Sequence, residues 1–96
     1  MFVLVTYDVA TTTVEGRRRL RRVARTCVNF GQRVQLSVFE VSIGDTDFVR
    51  FRHELLTEIN LAEDSLRFYF LGETPGHRVE HHGQRPSTDF DEALVV

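Results

Sequence analysis

The sequence predicts an α+β domain in which two helices cover one face of an antiparallel sheet. Three observations predict it. Strand-forming runs rich in Val, Phe and Tyr lie at residues 2–7, 33–43 and 65–71. Two stretches between them carry apolar residues at helical spacing. The resulting order, β, α, β(β), α, β, is the ferredoxin-like βαββαβ pattern. A chain of 96 residues folds as one domain around a single core.

Phe2, Leu4 and Thr6 alternate with Val3, Val5 and Tyr7, so the first strand is apolar or β-favouring on both faces and is expected to be covered on both sides. Thr12 and Glu15 have the spacing of a capping box, in which hydroxyl and carboxylate reciprocally satisfy amides of the first helical turn. The helix runs to about Phe30 with a buried stripe of Leu20, Val23, Ala24 and Cys27, and Gly31 is its stop. RVQLSVFEVSI, residues 33–43, reads as one strand or as two short ones bent near Ser37. A second helix spans about Asp47 to Ile59, with Phe48, Phe51, Leu55 and Ile59 on one face and Asp45 or Thr46 as its N-cap. SLRFYFLG is the last core strand, with Leu66, Phe68 and Phe70 on one face and Tyr69 and Leu71 on the other. Beyond it TPGH marks a turn, RVEHH a short fifth strand and GQRPSTD a linker before ALVV. Residues 1–72 are thus the core and 73–96 an extension. Helices on one face leave the other face of the sheet open, yet both faces are apolar. A second copy packed sheet to sheet is the simplest cover, so a homodimer is expected.

Composition narrows the function classes. With 42% hydrophobic and 27% charged residues, the chain is globular and not disordered. Its one cysteine, Cys27, has no internal disulfide partner, and no charged, then apolar, leader precedes MFVLVTYD. No run approaches the roughly 20 apolar residues of a membrane span. A soluble cytoplasmic protein with no membrane partner is expected. The net charge of −2 is unevenly spread: residues 14–33 carry seven arginines against Glu15 alone, whereas residues 40–96 carry five arginines against twelve acids. All twelve basic residues are arginine, a bias that a GC-rich genome explains as well as function does.

Asp8 stands where the first strand runs out. A carboxylate there is a hard oxygen ligand for Mg²⁺, which keeps several waters and needs only one or two protein carboxylates; an aspartate at such a place also serves simply to end a strand. A lone carboxylate is a poor site. Near a two-fold axis, however, two Asp8 side chains can share one ion, and would repel each other without it. On the first helix, Arg18, Arg21, Arg22 and Arg25 lie opposite the Leu20 stripe, while Arg17 and Arg19 flank it and can point toward the Asp8 loop. Guanidinium forks match phosphate oxygens, which sets phosphate binding against a merely solvated helix face. Gln35, Ser37 and Phe39 share a face with Arg33, and an exposed phenylalanine there can stack a base, although strand phenylalanines are more often core. His77, His81 and His82 read as structural or solvated, since neighbours 81 and 82 face opposite sides of a strand. Cys27 reads as a small core residue. No Ser-His-Asp set, Walker loop or zinc spacing occurs, and the aromatic third-strand signature of an RNA recognition motif is absent.

The apolar strand ending TYDV, the arginine-rich first helix, GQRVQLSVFE, and SLRFYFLG after the second helix together resemble the CRISPR-associated protein 2 family, over residues 1 to 72 in order and spacing. The resemblance implies a ferredoxin-like homodimer with facing sheets, a fifth strand and tail reaching onto the partner subunit, and a strand-end aspartate, here Asp8, binding Mg²⁺. It places the family's functional aromatic on Tyr7, its helix arginines on Arg17 and Arg19, and its strand arginine and phenylalanine on Arg33 and Phe39. The tail after Gly72 departs from the usual cysteine-containing ending. Members are assigned metal-dependent endonuclease activity on single-stranded RNA or duplex DNA, or act as a bridge between dimers of the Cas integrase during spacer acquisition. A nuclease would use Asp8 and Mg²⁺ with arginines positioning the backbone; a scaffold would grip duplex phosphates with Arg18, Arg21, Arg22 and Arg25. A metabolite sensor is disfavoured by the helix charge and by the lack of a glycine-rich ligand loop. A toxin-type ribonuclease of related fold is harder to set aside.

Overall fold

The computed structural model describes residues 1–73 and 78–84. Its elements are β1 (Phe2–Asp8), α1 (Val14–Phe30), β2 (Gln32–Gln35), β3 (Val38–Ser42), α2 (Asp45–Glu58) and β4 (Ser65–Phe70). The βαββαβ expectation is met. The strands form one antiparallel sheet in the order β2-β3-β1-β4, so the first strand, apolar on both faces, takes an interior position.

Cross-strand partners share a face, and the register therefore sorts the side chains. Val3, Val5 and Tyr7 of β1, Phe39 and Val41 of β3, and Leu66 and Phe68 of β4 point to the helices, where they meet Val23, Ala24 and Cys27 of α1 and Phe48, Phe51 and Leu55 of α2. Val3, Val5, Val23, Cys27, Phe39, Val41, Phe51 and Leu55 are fully buried and form the centre of the core. The other face carries Leu4, Thr6, Val38, Glu40, Arg67 and Tyr69 and has no helix over it among the described residues. Leu4, Thr6, Val38 and Glu40 are only half-buried in the single chain, and Tyr69 is exposed, its hydroxyl accepting from Arg67 Nη1 at 3.0 Å.

Several local expectations need correction. The cap of α1 is Thr13, whose hydroxyl accepts from Gly16 N–H at 3.0 Å, not Thr12. The helix begins one residue later than a Thr12–Glu15 box requires, and Glu15 turns instead to Arg18 at 3.3 Å. The reason lies at Gly16: a Cβ there would sit 2.0 Å from the Ala10 carbonyl oxygen, so the chain entering the helix crosses its first turn where only glycine leaves room. Helix α2 starts at Asp45 with Gly44 as N-cap and no side-chain cap, so Asp45 and Thr46 lie inside the first turn. Residues 33–43 resolve into two strands joined at Leu36 and Ser37, with a register shift between Arg33 and Gln35. That shift breaks the simple alternation. Arg33 pairs with Phe39 on the helix side, whereas Gln35 pairs with Val38 on the open side, so the two do not share a face.

Beyond β4, Leu71 N–H donates to the Phe2 carbonyl and Phe2 N–H to the Gly72 carbonyl, extending the pairing with β1 to the end of the expected core. Residues 78–84 make no strand within the chain. The turn expected at TPGH and the ending ALVV lie outside the described residues, as does most of the GQRPSTD linker. Among the described residues no helix is long and apolar enough to cross a membrane.

Candidate active site

Asp8 is the last residue of β1, opposite Ser65 of β4, exposed and on the same helix-free face as Leu4 and Thr6. The segment after it is short and fastened at several points. Val9 is buried in the core. Ala10 N–H donates to Asp64 Oδ1 at 3.0 Å, and Arg17 Nη1 donates to the Thr11 carbonyl at 3.2 Å. A carboxylate at the end of an interior strand, with the following loop held in this way, has a defined position and one side open to solvent.

Asp64, in the α2–β4 loop, belongs to no sequence motif singled out above. Its side chain is wholly buried. Burial alone would raise its carboxyl group, but hydrogen bonds from Arg19 and from the Asn60 and Ala10 N–H groups outweigh that and hold it below the ordinary 3.8. The one hint in the sequence is NLAED, where Asn60 Oδ1 accepts from Ala62 N–H at 2.9 Å and organises a turn that aims Asp64 inward.

Beside Asp8, the end of β1, the flank of α1 and the β2–β3 turn enclose a cavity of about 220 Å³ lined by Tyr7, Asp8, Thr11, Leu20, Arg33 and Ser37, among others. Tyr7 stacks on Phe39 with ring centroids 6.2 Å apart, and the Arg33 guanidinium lies over the Phe39 ring at 5.0 Å. The Tyr7 hydroxyl donates to the Leu36 carbonyl at 3.3 Å, tying the strand end to the turn. Burial, aided by Cys27 and opposed by Arg33, pushes the Tyr7 hydroxyl up to about 12. Burial likewise pushes the Cys27 thiol up to about 12 against the pull of Arg33. At neutral pH Tyr7 is therefore a hydrogen-bond donor and not a base, and Cys27 is no nucleophile. Phe39 is fully buried, so of its two sequence readings the core one holds and the base-stacking one does not: the ring is a platform beneath Tyr7 and Arg33.

The family model for CRISPR associated protein Cas2 matches residues 1–78. The chain belongs to the Cas2 family. It is 53% identical over 96 residues to the CRISPR-associated endoribonuclease Cas2 of Chlorobaculum tepidum, covering 100% of both chains. It is 46% identical over 95 residues to the CRISPR-associated endonuclease Cas2 of Halalkalibacterium halodurans, covering 99% of each. Among solved structures, Streptococcus pyogenes Cas2 at pH 6.5 is similar with a TM-score of 0.74 and 54% identity, over 86% of this chain and 100% of that one.

In this Cas2-family chain the sequence-predicted residues separate into three groups. Tyr7, Asp8 and Arg33 meet at one cavity, with Phe39 behind them. Arg17 and Arg19 both reach the Asp8 loop as expected, but Arg19 does so through Asp64 and is nearly buried. Arg18, Arg21, Arg22 and Arg25 are exposed on the outer side of α1. Arg18 pairs with Glu15 and Arg22 with Glu58 at 2.7 Å, which leaves Arg21 and Arg25 without an acidic partner among the described residues. No three His, Cys, Asp or Glu side chains among those residues cluster as metal ligands. Asp8 is thus one hard oxygen ligand, suited in donor type to Mg²⁺, and no second carboxylate joins it in lining the cavity among the described residues.

Proposed function

We propose that this protein is a Mg²⁺-dependent endonuclease of the CRISPR spacer-acquisition stage, acting on RNA or DNA phosphodiesters as a homodimer. The observation that carries the reading is the placement of Asp8: exposed, at the end of an interior strand, on the face of the sheet that neither α1 nor α2 covers. The endoribonuclease and endonuclease names of relatives matched along almost the whole chain support it. A second copy facing this sheet would cover Leu4, Thr6, Val38 and Tyr69 and bring its own Asp8 to the same edge. Residues 73–96 are proposed to pack on that partner, and the Cas integrase is proposed as the assembly the dimer serves.

In this reading the two Asp8 carboxylates would hold Mg²⁺, which supplies an activated water and charge stabilisation at the scissile phosphate. The chain's own side chains do the rest. Arg17, Arg21 and Arg25 draw in and align the phosphate backbone. Tyr7, protonated, holds the β2–β3 turn that forms the far wall of the cavity, and Arg33 and Phe39 hold Tyr7. The test compares parent and Asp8→Ala on labelled RNA and duplex DNA, with Mg²⁺ and with chelator. Intact dimers, unchanged binding and lost Mg²⁺-dependent cleavage are expected; cleavage at the parental rate would sink the assignment. A non-catalytic scaffold on duplex DNA is the second reading, favoured only by Arg21 and Arg25, which meet no acidic partner among the described residues.

A further inference from the structure

We propose that Asp64 and Arg19 work as one positioning pair that fixes the loop carrying Asp8, so that Arg19 serves the site through Asp64 and not by contacting phosphate. The proposal rests on the reading of Asp8 given above. Asp64 Oδ1 accepts from Ala10 N–H at 3.0 Å and Arg19 Nη2 at 3.3 Å; Oδ2 accepts from Asn60 N–H at 2.8 Å and Arg19 Nε at 2.9 Å. Each oxygen thus takes one backbone and one guanidinium donor, a pattern that only a carboxylate satisfies. An asparagine would turn its own NH₂ toward one of those N–H groups.

Three segments meet at this carboxylate: the β1–α1 loop through Ala10, α1 through Arg19, and the α2–β4 loop through Asn60. Ala10 lies two residues beyond Asp8, so its tether limits how far the strand end can shift. Arg19 is 11% exposed, and both of the nitrogens that form its fork face Asp64, with Glu63 a further 3.9 Å neighbour. To bind a phosphate, Arg19 would have to leave a wholly buried carboxylate without its counter-charge, at a steep cost. Arg17, Arg21 and Arg25 are exposed and meet no such obstacle.

The test uses the full chain with Arg19→Ala, Asp64→Ala and the double variant, with Asp64→Asn and Arg19→Gln as milder forms should the alanine variants fail to fold. Cleavage of labelled RNA is measured below the lowest melting transition, alongside amide hydrogen exchange at Ala10 and Thr11. Each single change should lower kcat about 10- to 100-fold with KM unchanged, as expected of a misplaced reacting group. Exchange at Ala10 should accelerate in both. The double variant should fall no further than the worse single, because the two residues act as a unit. Arg19→Lys should rescue little, since an ammonium does not span both oxygens. Effects that multiply in the double variant, unchanged Ala10 exchange in Asp64→Ala, or a shallower salt dependence of RNA binding confined to Arg19→Ala would overturn the proposal. If Asp8→Ala cleaves normally, the nuclease reading fails on its own, and the exchange measurements still decide whether the pair holds the loop.

Discussion

Phe39 offers a test between a residue that would contact nucleic acid directly and one that only supports its neighbours. Its ring is fully buried, stacked under Tyr7 and lying beneath the Arg33 guanidinium. At about 0.05–0.15 kcal/mol per residue, a chain of this length has a stability of roughly 5–14 kcal/mol. Phe39→Ala should remove about 3–5 kcal/mol of that, enough to confuse lost function with lost folding. Phe39→Leu is the more informative change: it nearly fills the site, at a repacking cost below about 1.5 kcal/mol. It also forfeits the ring-on-ring contact, worth about 0.5–1.5 kcal/mol. The expected total is therefore about 0.5–3 kcal/mol, read as a lowered urea midpoint at fixed protein concentration, since a dimer's midpoint varies with concentration. RNA affinity, measured by titration where both proteins are folded, should stay within about twofold. An affinity loss of tenfold or more, about 1.4 kcal/mol, with the urea midpoint unmoved would refute the platform role and restore direct stacking on a base.

The remaining predictions concern charge and pH. Replacing Arg21 and Arg25 together with alanine should weaken binding to all sequences alike and reduce the salt slope by roughly 1.4–1.8, two phosphate contacts' worth, whereas Arg22→Ala should do less because Arg22 is already paired with Glu58; nitrocellulose-filter titrations across salt check both. Because the folded-state pKa of Asp64 is depressed, its contribution is fully present above the ordinary 3.8 and is lost as pH falls through the folded value. Unfolding midpoints should therefore drop below about pH 4, and Asp64→Asn should flatten that acid limb. Tyr7 and Cys27 are raised from 10.0 and 9.0 to about 12, so their contribution is complete below pH 9 and is lost as pH climbs toward 12. The Tyr7→Phe, Cys27→Ala double variant should show a shallower alkaline decline in the same denaturation series.

The order of elements was legible because it depends on period. Val3, Val5 and Tyr7 against Leu4 and Thr6, and the Val23, Ala24 and Cys27 stripe, place sheet and helix without reference to anything distant. Contacts made between loops were not legible. That the helix opens at Thr13 follows from the approach of the Ala10 carbonyl to Gly16, and no local spacing records a through-space clearance of that kind. The register shift after Arg33 is likewise a property of two strands and not of one, and it separates Gln35 from Arg33 although the sequence alternates without a break. Asp64 was missed for the same reason: its partners Ala10 and Arg19 lie 54 and 45 residues away.

These misses bear on the proposed chemistry. The residues read most directly from the sequence, Asp8 and the arginines of α1 other than Arg19, lie on the surface, where a second chain or a nucleic acid would meet them. The residues read least well, Asp64 and the Phe39 platform, lie beneath and fix where the surface groups stand. Within one chain Asp8 is a single carboxylate with no cluster of ligands around it among the described residues. Under the proposed reading, Mg²⁺ binding and the pairing of sheets are one equilibrium: the ion draws together two carboxylates that otherwise repel, and the sheets bury Leu4, Thr6 and Val38 as it does so. Asp8→Asn should then weaken the effect of Mg²⁺ on the dimer while leaving the metal-free dimer as stable or more so, because the repulsion is removed along with the ligand. Sedimentation with Mg²⁺ and with chelator reads both terms. A metal-free dimer weakened by this substitution would show that the two Asp8 side chains do not face each other.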